Sequence, residues 1–395
     1  MQKVSTARKR TIGWMGVHRG HRARPLEWLA EKLIFLVSLS AIVVTMLIFL
    51  FVAREAMPVF LGQMNSALVL PTIPVEEIDK VNPEELRRYL GLTKKQFAEM
   101  DRDTLKTLME VRIEAQAEIP TQFREDKDAR INTTEWRYLL KPHQWTGYDR
   151  PVYIWQPIGW IKKYNIVPLI IGSLKPTIVG LLFATPLAIG AAIYVSQLAG
   201  DRTRELVKPA IELLSGIPSV VIGFFALLVM ASVLQSLFRY EVRLNAFVAG
   251  IALGIAVIPI VFSISEDALT SVPRSYTQAA LALGASRWQT AYQIVLPAAL
   301  PGVFAAVVLG FGRAIGETMI VLMICSASVM SWNIFESARG ITTTIAAEMA
   351  EAVTGGHHYR ILFMLGALLF AVTFLSNLTG DIIIHRLKAK LEGKK

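Results

Sequence analysis

Residues 273–325 read PRSYTQAALALGASRWQTAYQIVLPAALPGVFAAVVLGFGRAIGETMIVLMIC, and the rest of the chain is organised around them. The first half is a polar-interrupted loop. Pro273 suits the first turn of a helix, where its missing N–H has no partner to lose. Ser275 and Gln278 stand at the spacing of a capping box, and Gly284 is placed to stop the helix in the left-handed region. Ser286 and Gln289 repeat the box and open a second helix expected to end near Pro297. Helix, glycine turn, helix between two apolar runs describes either an amphipathic connector on a membrane surface or a docking element. Spacing alone leaves both open. The second half is apolar except for Arg313 and Glu317, whose i, i+4 spacing predicts that both face one side of a helix near the middle of a membrane.

The flanking sequence makes the membrane explicit. Of 395 residues, 53% are hydrophobic, too many for an ordinary soluble domain. Leu33–Ala53, Pro176–Gly200, Leu213–Phe238, Leu244–Ser265, the run Ala298–Phe335 interrupted by Arg313 and Glu317, and Ile361–Gly380 are each about 20 residues or longer, the length that crosses a hydrocarbon core. These are six spans. The first is too long for a cleavable signal and lacks a small-residue cleavage site. Within the third, Leu214-Ser215-Gly216-Ile217-Pro218-Ser219 predicts a break in the helical ladder, from a packing kink or a cavity lining. Cys325, the single cysteine, excludes an intrachain disulfide and cysteine metal sites.

The net charge of +10 is concentrated at the ends. Residues 1–32 hold eight Lys/Arg against two acids, and the tail from His385 holds five against one. The positive-inside rule therefore predicts both termini in the cytoplasm, with the basic N-terminus on anionic lipid and no nucleic-acid partner. The expected layout is a basic cytoplasmic segment 1–32, a first span 33–55, an outer insertion 56–165, a five-helix core 166–385 and a basic tail 386–395. The loop 266–297 then falls on the cytoplasmic side, where ATP is, independently of its own charges.

The insertion carries 16 Lys/Arg and 16 Asp/Glu. Asn82-Pro83-Glu84-Glu85 and Thr93…Gln96 look like helix starts, and Leu105, Leu108, Val111 and Ile113 recur at roughly helical spacing. Short helices on the outer membrane face are expected, acting as a spacer or as a dock for a binding protein. Trp136, Trp145, Trp155 and Trp160 are expected to settle at the membrane interface. An enzyme is not expected: the six histidines lack metal spacing and no nucleophile–base set is apparent. No G-x-x-x-x-G-K-[ST] occurs, so the chain is not expected to hydrolyse ATP.

Gln278-Ala279-Ala280, three residues, Gly284, nine residues, Ile294, one residue, Leu296-Pro297 resembles the EAA loop of ABC-importer permeases. The family usually has Glu where this chain has Gln278; Gln keeps a capping acceptor and loses the charge. Gly312-Arg313-Ala314-Ile315-Gly316-Glu317-Thr318-Met319 resembles the signature of the C-type permease subunit of phosphate importers. Residues 214–219 and Thr344-Ile345-Ala346-Ala347-Glu348 resemble that subunit as well. The likeness covers about residues 165–390. It implies an all-α, six-span type I (MetI-like) permease fold with a soluble helical insertion after the first span. It implies a coupling helix that sits in a groove of the ATP-binding subunit, with Gln278, Ala279, Ala280, Gly284, Ile294, Leu296 and Pro297 at the contact. Arg313, Glu317 and Thr318 become candidates for the substrate path, since a guanidinium fork matches a tetrahedral oxyanion. A structural ion pair is the competing reading of Arg313 and Glu317. The implied partners are an A-type permease, two ATPase subunits that hydrolyse ATP, and a periplasmic phosphate-binding protein; this chain itself binds no cofactor. Sulfate or molybdate transport, an ATP-independent anion channel or carrier, and a part in a phosphate-signalling kinase system are the other readings.

Overall fold

Apolar length and the prolines that interrupt it set the helix boundaries of this protein, described here by a computed structural model covering residues 25–69, 73, 78, 81–90, 92, 94–325 and 330–391. Six helical segments are long and apolar enough to cross a membrane: Leu29–Phe60, Val167–Leu198, Ser219–Phe238, Ala246–Thr270, Arg287–Ile315 and His357–Ile384. The chain divides into two units, Met1–Phe51 and Val52–Lys395. Helix α1 (Pro25–Phe60) supplies the described part of the first unit, whose side chains from Leu29 to Phe51 are all exposed. A helix apolar on every side suits a lipid or membrane-protein environment.

In the second unit the insertion comes first. It holds α2 (Pro83–Leu90), α3 (Lys94–Glu99), α4 (Arg102–Ala117), α5 (Thr121–Arg124), α6 (Trp136–Leu140) and a two-stranded antiparallel ribbon, β1 (Trp155–Gln156) with β2 (Lys163–Tyr164). Asn82 Oδ1 accepts from Glu84 N at 3.0 Å, starting α2 as expected. Helix α4 turns Leu105 and Met109 inward and leaves Val111 exposed. The tryptophan expectation fails for two of the four. Trp145 and Trp155 are only 2% and 1% exposed, in the protein interior, while Trp136 and Trp160 are exposed. Burial of Trp155 is compensated because its indole N–H donates to the Glu348 carboxylate at 3.1 Å.

The helical core follows: α7 (Val167–Ile193), α8 (Asp201–Leu214), α9 (Ser219–Phe225), α10 (Ala231–Phe238), α11 (Ala246–Thr270), α12 (Arg274–Ala282), α13 (Arg287–Thr290), α14 (Leu296–Ile315), α15 (Met319–Ile324), α16 (Ile341–Glu348) and α17 (His357–Leu391). Helices α7 and α11 pack backbone to backbone. A Cβ built on Gly250 would come within 2.5 Å of Val179 Cβ, and one on Gly254 within 2.9 Å of the Gly180 carbonyl. Gly250-x-x-x-Gly254 thus clears the close approach that drives helix association in lipid. Ala184, Ala188, Leu253, Val257, Phe262, Val303 and Ala306 fill the seam between α7, α11 and α14.

The spans differ from the sequence reading at several ends, among them the second, which starts at Val167 rather than Pro176, and the fifth, which ends at Ile315 rather than Phe335. Two further differences change the interpretation. The third span begins at Ser219 rather than Leu213, and residues 201–214 form the separate helix α8. Arg202, Arg204, Glu205, Lys208 and Glu212 keep α8 polar, so Gly216-Ile217-Pro218 is the turn before the span and not a kink within it. The helix opened at Ser286 does not end near Pro297. It runs through a π-helical turn, Ala291–Val295, into α14, with Pro297 in the first turn of the new segment. The wider π turn changes the hydrogen-bond register just where the proline has no N–H to offer.

Candidate functional site: the coupling loop and the broken fifth span

The loop between α11 and α14 is built by local chemistry. Its first helix, α12, starts after Pro273, which sits at the N-cap with extended backbone and no side-chain cap. Ser275 therefore lies inside the helix, and the first expected capping box does not form. The stop does. Gly284 has φ +86°, Ala285 N donates to Ala280 O at 3.1 Å and Gly284 N to Leu281 O at 3.0 Å, the paired bonds of a Schellman motif. The second box is complete: Gln289 N donates to Ser286 Oγ at 3.1 Å, and Ser286 N to Gln289 Oε1 at 2.8 Å.

Of the candidate coupling residues, Gln278, Ala279, Ile294 and Pro297 are exposed, Leu296 is half-buried and Ala280 is buried. Around them Tyr276, Leu281, Trp288 and Tyr292 are exposed, and Leu283 is 90% exposed. A cluster of exposed aromatic and aliphatic side chains on a loop braced by two caps is the composition of a docking surface.

The loop is anchored by a cluster that the sequence reading missed. Glu266, fully buried near the end of α11, accepts from Arg204 Nη2 and Lys208 Nζ, each at 2.6 Å, and from Thr270 Oγ1 at 3.0 Å. The bond to Glu266 holds the Lys208 ammonium above the usual lysine range, burial opposing it. Helix α8 is thereby clamped to the base of the coupling loop. The available signal was Arg204 and Lys208 at i, i+4 and the acidic pair Glu266-Asp267 ending an apolar run.

Arg313 and Glu317 are not brought together. Helix α14 ends at Ile315 with Gly316 as its C-cap, and α15 begins at Met319, so the expected i, i+4 face does not exist. Among the described residues Arg313 has no ion pair and no side-chain hydrogen bond, and it is exposed. Glu317 is occupied locally. Its Oε1 accepts from Met319 N at 3.2 Å, and its carbonyl accepts from Thr342 Oγ1 at 3.1 Å. Thr318 Oγ1 lies 3.4 Å from the Gly316 carbonyl. Glycine and the new helix N-terminus redirect the glutamate; a pair readable from spacing is replaced by a break in the span. Irregular backbone at membrane depth is tolerated where it is buried in protein or lines a cavity.

Lys175 is a second intramembrane charge that the sequence reading left outside the span, which was drawn from Pro176. It is 8% exposed within α7, and its Nζ donates to Asn333 O at 2.9 Å. Ser173 Oγ accepts from Ile341 N at 2.8 Å, while Gly172 leaves no room for a Cβ beside the Arg339 carbonyl. Residues 330–341 are held as a strap over the start of α11 as well, through Ala246 N to Glu336 O at 3.1 Å and Phe247 N to Ile334 O at 2.9 Å.

The sequence matches the family described as "Binding-protein-dependent transport system inner membrane component" over residues 184–392, which includes the coupling loop, the break and α17. A "Probable ABC transporter permease protein YqgH" of Bacillus subtilis is 37% identical over 223 residues, 56% of this chain and 72% of that one. Proteins named "Phosphate transport system permease protein PstC" are 32% identical over 256 residues in Mesorhizobium japonicum, 60% of this chain and 77% of that one, and 31% over 261 residues in Pasteurella multocida, 61% and 80%. Six spans, a capped loop with an exposed apolar face and a match over more than half the chain agree: this protein belongs to the family of inner membrane components of binding-protein-dependent transport systems.

Proposed function

We propose that this chain is the C-type permease subunit of an ATP-driven phosphate importer, forming half of the translocation path. The observation behind this reading is Arg313, a guanidinium with no ionic partner among the described residues, at a break in a membrane span, in a chain whose relatives include proteins named phosphate permeases. An arginine within a membrane span is costly and is kept for a purpose, and its planar fork matches an oxyanion. Glu317 and Thr318 shape the break beside it. Phosphate arrives on a periplasmic binding protein. An A-type permease supplies the other half of the path, and two ATPase subunits dock on Gln278, Ala279, Ala280, Gly284, Ile294, Leu296 and Pro297. ATP is hydrolysed on those subunits; this chain binds no cofactor and performs no chemistry. Both termini and the coupling loop are cytoplasmic, residues 56–165 are periplasmic, and a phosphate-sensing kinase system reads the same assembly.

The test is purification with the co-purifying ATPase and second permease, reconstitution in vesicles, and measurement of which anion stimulates ATP hydrolysis and is imported. Phosphate in preference to sulfate or molybdate is expected. Preference for another anion, or transport without an ATPase, overturns the reading.

A further inference from the structure

The insertion lies outside the matched family region, yet it is bonded into the core at one residue in particular. The Glu348 carboxylate at the end of α16 takes the Trp155 indole N–H at 3.1 and 3.2 Å on its two oxygens, Arg339 Nη1 at 2.9 Å, and lies 3.3 Å from His358 Nε2. Burial pushes the Glu348 carboxyl above the usual range, although Trp155 and Arg339 favour its charged form. Trp155 also packs edge-on against Tyr164, and both are buried with Ile341, Ile361 and Leu365 of the core. The near end of α16 makes a different contact: Thr342 Oγ1 donates to the Glu317 carbonyl, at the break beside Arg313. Helix α16 has eight residues, about 12 Å at 1.5 Å per residue, short enough to move as one rod.

From this geometry we infer that Trp155 is a positioning residue: through Glu348 and α16 it sets the backbone at Glu317, so that the insertion governs the broken span. The inference takes the break as part of the substrate path and rests on the proposed function in that respect only. A partner that moves the ribbon β1–β2 moves Glu348, and the displacement reaches Glu317 through Thr342. Other ties hold the insertion without touching α16. Trp136 Nε1 donates to Phe60 O at 3.3 Å, and Asn132 Nδ2 to Met64 O at 2.8 Å. Those are the controls.

The experiment uses the assembled complex with Cys325→Ser and a thiol probe at Thr318→Cys, labelled by an impermeant reagent without nucleotide. Trp155→Phe keeps a ring in the pocket and removes the donor. Thr342→Val removes the bond at the other end of α16. Each is expected to change the labelling rate by about fivefold, with the double variant no further changed, because one path is cut twice. Trp136→Phe should leave the rate within about twofold if loosening the insertion elsewhere has no effect on the break. Unchanged labelling in Trp155→Phe, an equal change in Trp136→Phe, or multiplying effects in the double variant overturns the inference. Should Trp155→Phe fail to assemble, Thr342→Val paired with Glu348→Gln decides by the same criteria. Labelling requires no phosphate, so a wild-type complex that imports none unseats the substrate reading and leaves this one standing.

Discussion

Two charged residues of the core, Glu266 and Arg313, sit in opposite circumstances. Glu266 is fully buried and answered by two cations and a hydroxyl within 3.0 Å. Arg313 is exposed and, among the described residues, answered by no acid. A buried charge persists only when its partners are all in place, so Glu266 is architecture: it fixes α8 to the base of the coupling loop. A cation in a span without a partner in its own chain must be answered from outside it, by water, a partner subunit or, on the function proposed above, the passing anion. The difference is one of pairing: the buried Glu266 carries its partners within the chain, whereas the exposed Arg313 has no acidic partner among the described residues.

The comparison breaks most readily at the loop that Glu266 anchors. Gly284→Val forces a β-branched residue to φ +86°, which costs ~1–2 kcal/mol or more for a non-glycine residue in the left-handed region. A Cβ there would meet nothing within 4 Å, so the cost is conformational and confined to the turn. The protein should reach the membrane in normal amount while ATP-driven uptake is lost; Gly284→Asn should retain part of it. Normal uptake by the valine variant would reduce the loop to a connector.

Glu266→Ala should be the next largest effect, leaving Arg204 and Lys208 facing an empty acceptor. A broken buried pair costs ~3–5 kcal/mol, and the figure here should fall to about half of that because the two cations are 38% and 32% exposed and water solvates them. Thermal unfolding of the detergent-solubilised complex measures it. A transition unmoved by Glu266→Ala would show that α8 is not clamped by this residue.

A smaller effect is expected in the insertion. Burial would raise the Asp128 carboxyl, but the Thr146 N–H at 2.7 Å and the His143 ring at 3.1 Å outweigh it and hold the group below the usual carboxylate range. A depressed carboxyl contributes stability that is present above its unfolded value, near pH 4, and is lost as pH falls through its folded value. Asp128→Asn should therefore flatten the fall in stability below about pH 4, read by tryptophan fluorescence through Trp145. An equally steep fall in the variant would place the acid sensitivity elsewhere.

What the sequence made legible was local or periodic. Six apolar runs sufficed for the spans, and Gly284 and the Ser286–Gln289 box could be placed because a cap depends on residues within one turn. The nearby Ser275–Gln278 box failed for an equally local reason: Pro273 took the cap position and moved Ser275 into the helix. Long-range partners were invisible. Glu266 finds Arg204 and Lys208 about 60 residues away, and Trp155 finds Glu348 across 193. The Arg313–Glu317 spacing misled because an i, i+4 pair presumes continuous helix, and Gly316 ends it. Composition points Trp145 and Trp155 to the membrane surface, whereas a satisfied indole N–H lets Trp155 sit in the core.

Whether Arg313 serves the anion, as proposed, or is half of a structural pair is decided by phosphate uptake per assembled complex in Arg313→Gln and in the double variant with Glu317→Gln. Arg313→Gln should assemble at wild-type abundance and import no phosphate. Arg313→Lys, which keeps the charge and loses the fork, should recover part of the uptake, and adding Glu317→Gln to Arg313→Gln should restore nothing. Failure of the single variant to assemble, with assembly and uptake both regained in the double variant, would contradict the account and make the two residues an ion pair after all.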